Sequence, residues 1–236
     1  MNTSIETISL QGLVLAFVPA AIVIGILFRW SAGAGTAVHA TARMLIQLVL
    51  IGYVLVYVFE ADQPGLVLAV LAIMLGAASW IALRPVRQRR PRVYLHALGA
   101  IGVGGLATLA LVSQVVIDVQ PWFSPRYVVP LAGMIFASAM NAVSLAAERL
   151  EAETGRGAAA AEARRTALQT ALIPITNSLF AVGVVSLPGM MTGQILSGVS
   201  PLVAAQYQIV VMTMLFGASG VSAALYLVFA DGAQRR

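Results

Sequence analysis

Residues 171–198, ALIPITNSLFAVGVVSLPGMMTGQILSG, carry no charged side chain. Twenty helical residues at about 1.5 Å each span the roughly 30 Å of a hydrocarbon core, so the stretch is long enough to cross a bilayer. It is not plain hydrocarbon, however. Pro174 and Pro188 each lack a backbone donor and tend to kink or break a helix. Carbonyls released at such breaks are tolerated only against protein or a water-lined cavity. Gly189, Gly193 and Ser197 lie four apart, a stripe along which another helix can approach closely. Asn177, Met190, Met191, Thr192 and Gln194 add groups that can hydrogen-bond or ligate. An anchor alone needs none of this, although a kinked helix packed in a bundle, with no contact to a cargo, also accounts for it.

Composition extends this reading to the whole chain. Of 236 residues, 60% are hydrophobic and 10% charged, and the mean hydropathy is +0.91. A soluble domain carries about 25% charged residues. An all-α, polytopic integral membrane protein is therefore expected, with a single transmembrane domain over residues 1–236 and no room for a soluble catalytic domain. The bilayer is its first partner. All fourteen basic residues are Arg, and the net charge is +5. Their clustering in loops on one side of the membrane argues against nucleic acid as a partner. Cysteine is absent, which excludes disulfides, thiolate metal sites and thiol nucleophiles. The N-terminus carries Glu6 and no basic stretch, so no cleaved signal peptide is expected.

Seven apolar runs can be drawn, at about residues 9–30, 41–59, 65–83, 94–117, 127–147, 169–196 and 203–229. The sixth could be split by Leu187-Pro188-Gly189. Seven spans put the termini on opposite sides. With the N-terminus outside and the C-terminus inside, thirteen of the fourteen arginines face the cytoplasm and only Arg126 lies outside, as the positive-inside rule demands. The site is then the inner (plasma) membrane.

Two inward segments stand out. RPVRQRRPRVY (84–94) holds five arginines, Arg84, Arg87, Arg89, Arg90 and Arg92, around Pro85 and Pro91; it acts as a topology determinant, or as a contact for lipid phosphate or a partner. Residues 147–170 form the only long cytoplasmic segment. AERLEAE (147–153), with Glu148 and Arg149, continues the fifth helix, and Gly155 and Gly157 flank Arg156 at a break. AAAAEARRTALQT (158–170) is a strong helix former, in which Glu162 can pair with Arg164 or Arg165. A helix pair projecting from the membrane offers a surface on which a partner can push.

No catalytic constellation is present. His39 and His96 lie far apart, and no zinc-protease, nucleophile-elbow or nucleotide-binding motif occurs. Polar residues inside a membrane are costly and point to function. Asn141, Ser144 and Glu148 share one face of the fifth run, with Gly133 and Ala137 extending it; Arg43 and Gln47 open the second run, and Gln206 and Gln208 the seventh. Such stripes suit a shared hydrated path, and equally interhelical hydrogen bonds without a path. Nine methionines, among them Met134, Met140, Met190, Met191, Met212 and Met214, would suit a soft ion but also adaptable packing. No resident metal site is evident.

TARMLIQLVLIGYVLVYVF (41–59), VVPLAGMIFASAM (128–140) and residues 171–211, in which VSLPGMMTGQI is followed by YQI, resemble the FetB-type permeases of ABC transporters. The resemblance covers roughly residues 41–211. It implies the membrane subunit of an iron-export system, related to plant subunits acting in aluminium tolerance. It also implies a homodimer, and a separate cytoplasmic ATPase subunit that binds ATP and Mg, with no cofactor on this chain. The likeness departs at ETGRGAAAAEARRT (153–166), where the family's segment is longer. On this basis the pathway candidates are Asn141, Ser144, Asn177, Pro188, Gly189, Met190, Met191, Gly193, Gln194 and Gln206. The ATPase-coupling candidates are Glu148, Arg149, Arg156, Arg164, Arg165, Arg87, Arg89 and Arg90. The competing readings are a permease for a non-metal cargo, an ATP-independent channel or secondary carrier, and a membrane scaffold. A carrier should show inverted repeats and a mid-membrane ionisable residue, and neither is found.

Overall fold

The computed structural model describes residues 8–61, 63–86 and 91–234. Apart from one isolated bridge between Val182 and Ser186, the regular structure among these residues is helical. The chain divides into two compact units, Met1–Glu60 and Ala61–Arg236.

The first unit holds α1 (Leu10–Leu15), α2 (Val18–Arg29) and nearly all of α3 (Ala34–Ala61). Ser9 caps α1 by accepting the Gly12 N–H at 3.1 Å. Pro19 lies in the first turn of α2, where its missing donor costs nothing. Between α2 and α3 the chain turns through Ser31 (φ 53°) and Gly33 (φ 83°). No residue of α1 or α2 is buried, and their exposed Leu, Ile and Val side chains form surfaces suited to hydrocarbon.

The second unit is a bundle of α4 (Pro64–Ala82), α5 (Pro91–Ala110), α6 (Pro125–Gly155), α7 (Ala160–Ala181), α8 (Gly189–Leu196) and α9 (Pro201–Gln234). A single π-helical turn, Leu111–Val116, finishes α5. At 31 and 34 residues, α6 and α9 are about 46 and 51 Å long, well beyond the hydrocarbon thickness. They lie against each other at the centre, with α5 and α7 on both and α4 against α5 and α6. Small residues make this possible: Ala139, Ala142, Ala146, Ala204, Ala218, Ser222 and Ala223 are all buried, letting backbones approach where apolar lipid supplies no hydrophobic drive. At mid-bundle the Ser138 and Ser219 hydroxyl oxygens lie 2.7 Å apart, a hydrogen bond from α6 to α9. Between α4 and α5, Tyr94 donates to the Gly76 carbonyl at 3.4 Å and meets Trp80 edge-on.

Six segments are long and apolar enough to cross a membrane: Leu10–Arg29, Ala34–Glu60, Pro64–Ala82, Pro91–Val116, Pro125–Gly155 and Pro201–Asp231. The remaining expected run, 169–196, is two helices rather than one. α7 passes through Pro174 without ending. The chain leaves the helix at Val182, where ψ turns to 132° and Gly183 takes φ 84°. The Ala181 carbonyl accepts from Val185 at 2.8 Å, and Gly183 N–H donates to the Ser186 carbonyl at 3.0 Å. Pro188 is therefore not a kink inside a helix. It is the N-cap of α8, and its carbonyl accepts the Thr192 N–H at 3.0 Å.

A candidate pathway segment and coupling end

The short helix α8 carries the densest set of sequence-derived pathway candidates. It packs mainly on α9, and none of its residues is buried. Each end is set by a glycine in the left-handed region, Gly183 before it and Gly198 (φ 90°) after it. Pro188, Met190, Met191 and Gln194 are half-buried, and Gly189 and Gly193 are exposed. The small-residue stripe does not receive another helix within the chain: a Cβ built on Gly189 or Gly193 meets nothing within 4 Å. The Gln194 Oε1 atom is buried and has no hydrogen-bond partner, which leaves an amide oxygen aimed into protein without a donor.

The other pathway candidates do not converge on α8. Asn141 on α6, Asn177 on α7 and Gln206 on α9 are exposed on the surface of the single chain, and Ser144 is half-buried. Of the two glutamines that open the seventh run, the pathway candidate Gln206 is exposed. Gln208, not Gln206, points inward at 5% exposure, and its Oε1 is also unpartnered. The available signal was helical phase: Gln208 is four residues from both Ala204 and Met212, which are buried, whereas Gln206 falls on the opposite face. Ser222, buried with an unpartnered hydroxyl, was missed for the same reason. Met212 and Met214 are buried, as adaptable filler would be, whereas Met134, Met140, Met190 and Met191 are half-buried. No group of three His, Asp or Glu side chains gathers among the described residues.

At the opposite end of α9 the expected helix pair is built as a hairpin. α6 runs on through AERLEAE to Gly155, and the chain reverses over Arg156–Ala159 into α7. Gly157 takes φ 82° just past the helix end, a conformation natural only to glycine. Arg149 pairs with Glu153 at 2.7 Å and Arg156 with the same carboxylate at 3.2 Å. Exposed pairs of this type contribute only about 0.3–0.5 kcal/mol each. Glu162 does not hold Arg164. That guanidinium reaches 67 residues along the chain to Asp231 on α9, at 2.7 Å. The two side chains are 34% and 14% exposed, as are those of Arg149 and Glu153; what sets this pair apart is that it joins two helices distant in the chain. Arg165 and Glu148 are exposed. Arg87, Arg89 and Arg90 lie outside the described residues.

The amino-acid sequence has clear counterparts among known proteins. A UPF0014 membrane protein of Synechocystis is 39% identical over 196 residues, 77% of this chain and 76% of its own. The "UPF0014 membrane protein STAR2" of Oryza sativa is 37% identical over 207 residues, 81% of this chain and 71% of its own. The "Probable iron export permease protein FetB" of Escherichia coli is 34% identical over 211 residues, 80% of this chain and 78% of its own. No solved structure matches. The family described as "Uncharacterised protein family (UPF0014)" matches residues 10–232, nearly the whole chain, and to that family this membrane protein belongs.

Proposed function

We propose that the chain is the permease subunit of an ABC transporter that exports a metal ion, iron being the first candidate. It works as a homodimer with a separate ATPase that supplies ATP and Mg. The observation that carries this reading is the outward exposure of Asn141 and Gln206 on candidate membrane spans, and of Asn177 near the end of α7. Polar side chains at membrane depth face protein or water-filled cavities, because exposure to hydrocarbon is costly. A second copy of the chain covering these faces would turn them inward and enclose a polar path. The similarity to a protein named as an iron export permease supports the choice of cargo.

If α7 and α8 together make a seventh crossing beside the six candidate spans, the arginines set the orientation: with the N-terminus outside, thirteen of fourteen face the cytoplasm. The α6–α7 hairpin then projects inward, where a soluble ATPase can reach it. ATP binding on that partner need only favour one of two bundle arrangements by a few kcal/mol to alternate access. Within the path, neutral amide oxygens and thioethers would bind a cation weakly enough to release it. Gln194 and Met191 supply such groups.

The test is co-expression with a soluble ABC ATPase from the same organism, taken from a neighbouring reading frame where one carries Walker A and B motifs, followed by purification through a tag on this chain. The expected result is a stable complex that hydrolyses ATP and drives Fe²⁺ efflux from loaded cells. Purification of this chain without any ATPase, together with unchanged iron content in cells overproducing both proteins, would overturn the reading.

A further inference from the structure

The Arg164–Asp231 pair stands apart from the other charges. It joins the first turns of α7 to the last turns of α9, and it does so where three helices meet. Leu150 and Thr154 of α6, Ala160 and Arg164 of α7, and Leu227 and Asp231 of α9 line one small crevice. The ion pair closes it. Behind it, α9 runs as one unbroken helix past α5, α6 and α7 to its contact with α8. The hairpin that would meet a partner is thus tied by a charge-assisted bond to the end of the helix against which α8 rests.

We propose that Arg164 and Asp231 are a positioning pair that fixes the α6–α7 hairpin to the end of α9, so that hairpin and α9 move as one body. The holding role concerns this chain alone. Its consequence for coupling rests on the reading of the chain as an ABC permease. Arg164 then acts through Asp231 on α9 and is not itself the surface the ATPase touches; the exposed Arg165 is available for that contact.

The chain has no cysteine, so two spin labels can be placed without background. Glu162→Cys on α7 and Val228→Cys on α9 are both exposed and flank the pair. In the full chain in lipid nanodiscs, a narrow distance distribution between the labels is expected. Asp231→Asn should broaden it, Arg164→Gln added to Asp231→Asn should broaden it no further, and the exchange Arg164→Asp with Asp231→Arg should narrow it again. In the complex, Asp231→Asn should lower Fe²⁺-stimulated ATP hydrolysis about fivefold or more with the ATPase still bound, and the exchange should recover it. An unchanged distribution in Asp231→Asn overturns the proposal. So does a broadened distribution with stimulated hydrolysis intact. If no ATPase accompanies the unsubstituted chain, the permease reading fails, while the spin labels still decide whether the pair holds the hairpin.

Discussion

Gly104 and Ser222 mark a close approach of α5 to α9: a Cβ added at Gly104 would stand 2.5 Å from the Ser222 hydroxyl oxygen, 3.0 Å from its backbone nitrogen and 3.2 Å from its Cα. Two of those three atoms are backbone and cannot step aside. Its neighbour Gly105 faces the ring of buried Phe136 in the same way, at 2.9 Å. The pair lets one short stretch of α5 seat against both central helices.

Alanine at position 104 should therefore be poorly tolerated. The expected loss is about 1–3 kcal/mol, the usual range for overpacking a well-filled contact. It would appear as a lower Tm in detergent. Gly99→Ala is the control. Its added methyl would lie 3.5 Å from Phe229, an ordinary contact, and the gain in helix propensity leaves Tm unchanged or higher.

The two glycines that flank α8 have the opposite character. Gly183 and Gly198 have open space where a Cβ would go, yet both have positive φ. Alanine there meets no clash and is penalised by the backbone alone, by about 1–2 kcal/mol each. Because α8 has no buried residue to hold it, that strain should be relieved by a shift of α8 rather than by unfolding of the bundle. Near-normal protein level with altered iron efflux is the expected outcome. Loss of the protein from the membrane would show that these turns are needed for folding instead.

Gln208 offers a test in which stability and function point in different directions. Its buried Oε1 lacks a donor, so Gln208→Leu removes a desolvated polar atom and should hold or raise stability, by up to about 1 kcal/mol, read as an unchanged or higher Tm. If the amide oxygen serves a passing cation, efflux should fall in the same variant. Gln194→Ala and Met191→Ala, at half-buried positions on α8, should likewise leave protein level normal while changing efflux or cargo-stimulated hydrolysis. Unchanged efflux in all three variants would remove α8 and the adjoining end of α9 from the pathway.

How far the sequence could be read depends on the range of the interaction involved. The continuation of α6 beyond residue 147 and its stop near Gly155 were legible, since helix propensity and a left-handed glycine are local matters. The division of the sixth run was legible, but its place was not: Pro188 advertises a break, whereas the chain departs at Val182 because Gly183 adopts a conformation that nothing in its neighbours announces. The small-residue stripe on α8 resembled a packing seam, yet the tight crossing is made by Gly104 and Gly105 on α5. Both patterns permit close approach, and only the fold decides which is used. Asp231 as the partner of Arg164 is a tertiary fact, out of reach of any i+3 or i+4 rule. Glu162, the neighbour such a rule suggests, is not the partner.

Arg165 and Arg164 should now separate in experiment. Arg165→Glu alters an exposed side chain and should weaken recovery of the ATPase with this chain, leaving stability within about 0.5 kcal/mol of the original. Reversal of Arg164 also breaks a tertiary ion pair, so a combined variant would confuse contact with architecture. Equal recovery of the ATPase with Arg165→Glu would move the contact to the Arg84–Arg92 loop.

Asn177→Cys in the otherwise cysteine-free chain should form a disulfide-linked dimer on mild oxidation in native membranes, visible as a doubled mass without reductant. Asn141→Cys and Gln206→Cys give the same test on α6 and α9. Failure of all three positions to cross-link at any oxidant level would count against a second copy covering these faces.

The crossing at Gly104 and Ser222 also sets a fulcrum. Along α9, Ser222 lies nine residues from Asp231 and fourteen from Gln208, about 13 and 21 Å of helix. With no side chain from α5 at this crossing, α9 can pivot there with unequal arms on either side. A tilt about that point would carry the Gln208 end in the direction opposite to the Asp231 end, and about one and a half times as far. A small displacement at the charged end of the rod would thus arrive enlarged and reversed in sign where α8 rests.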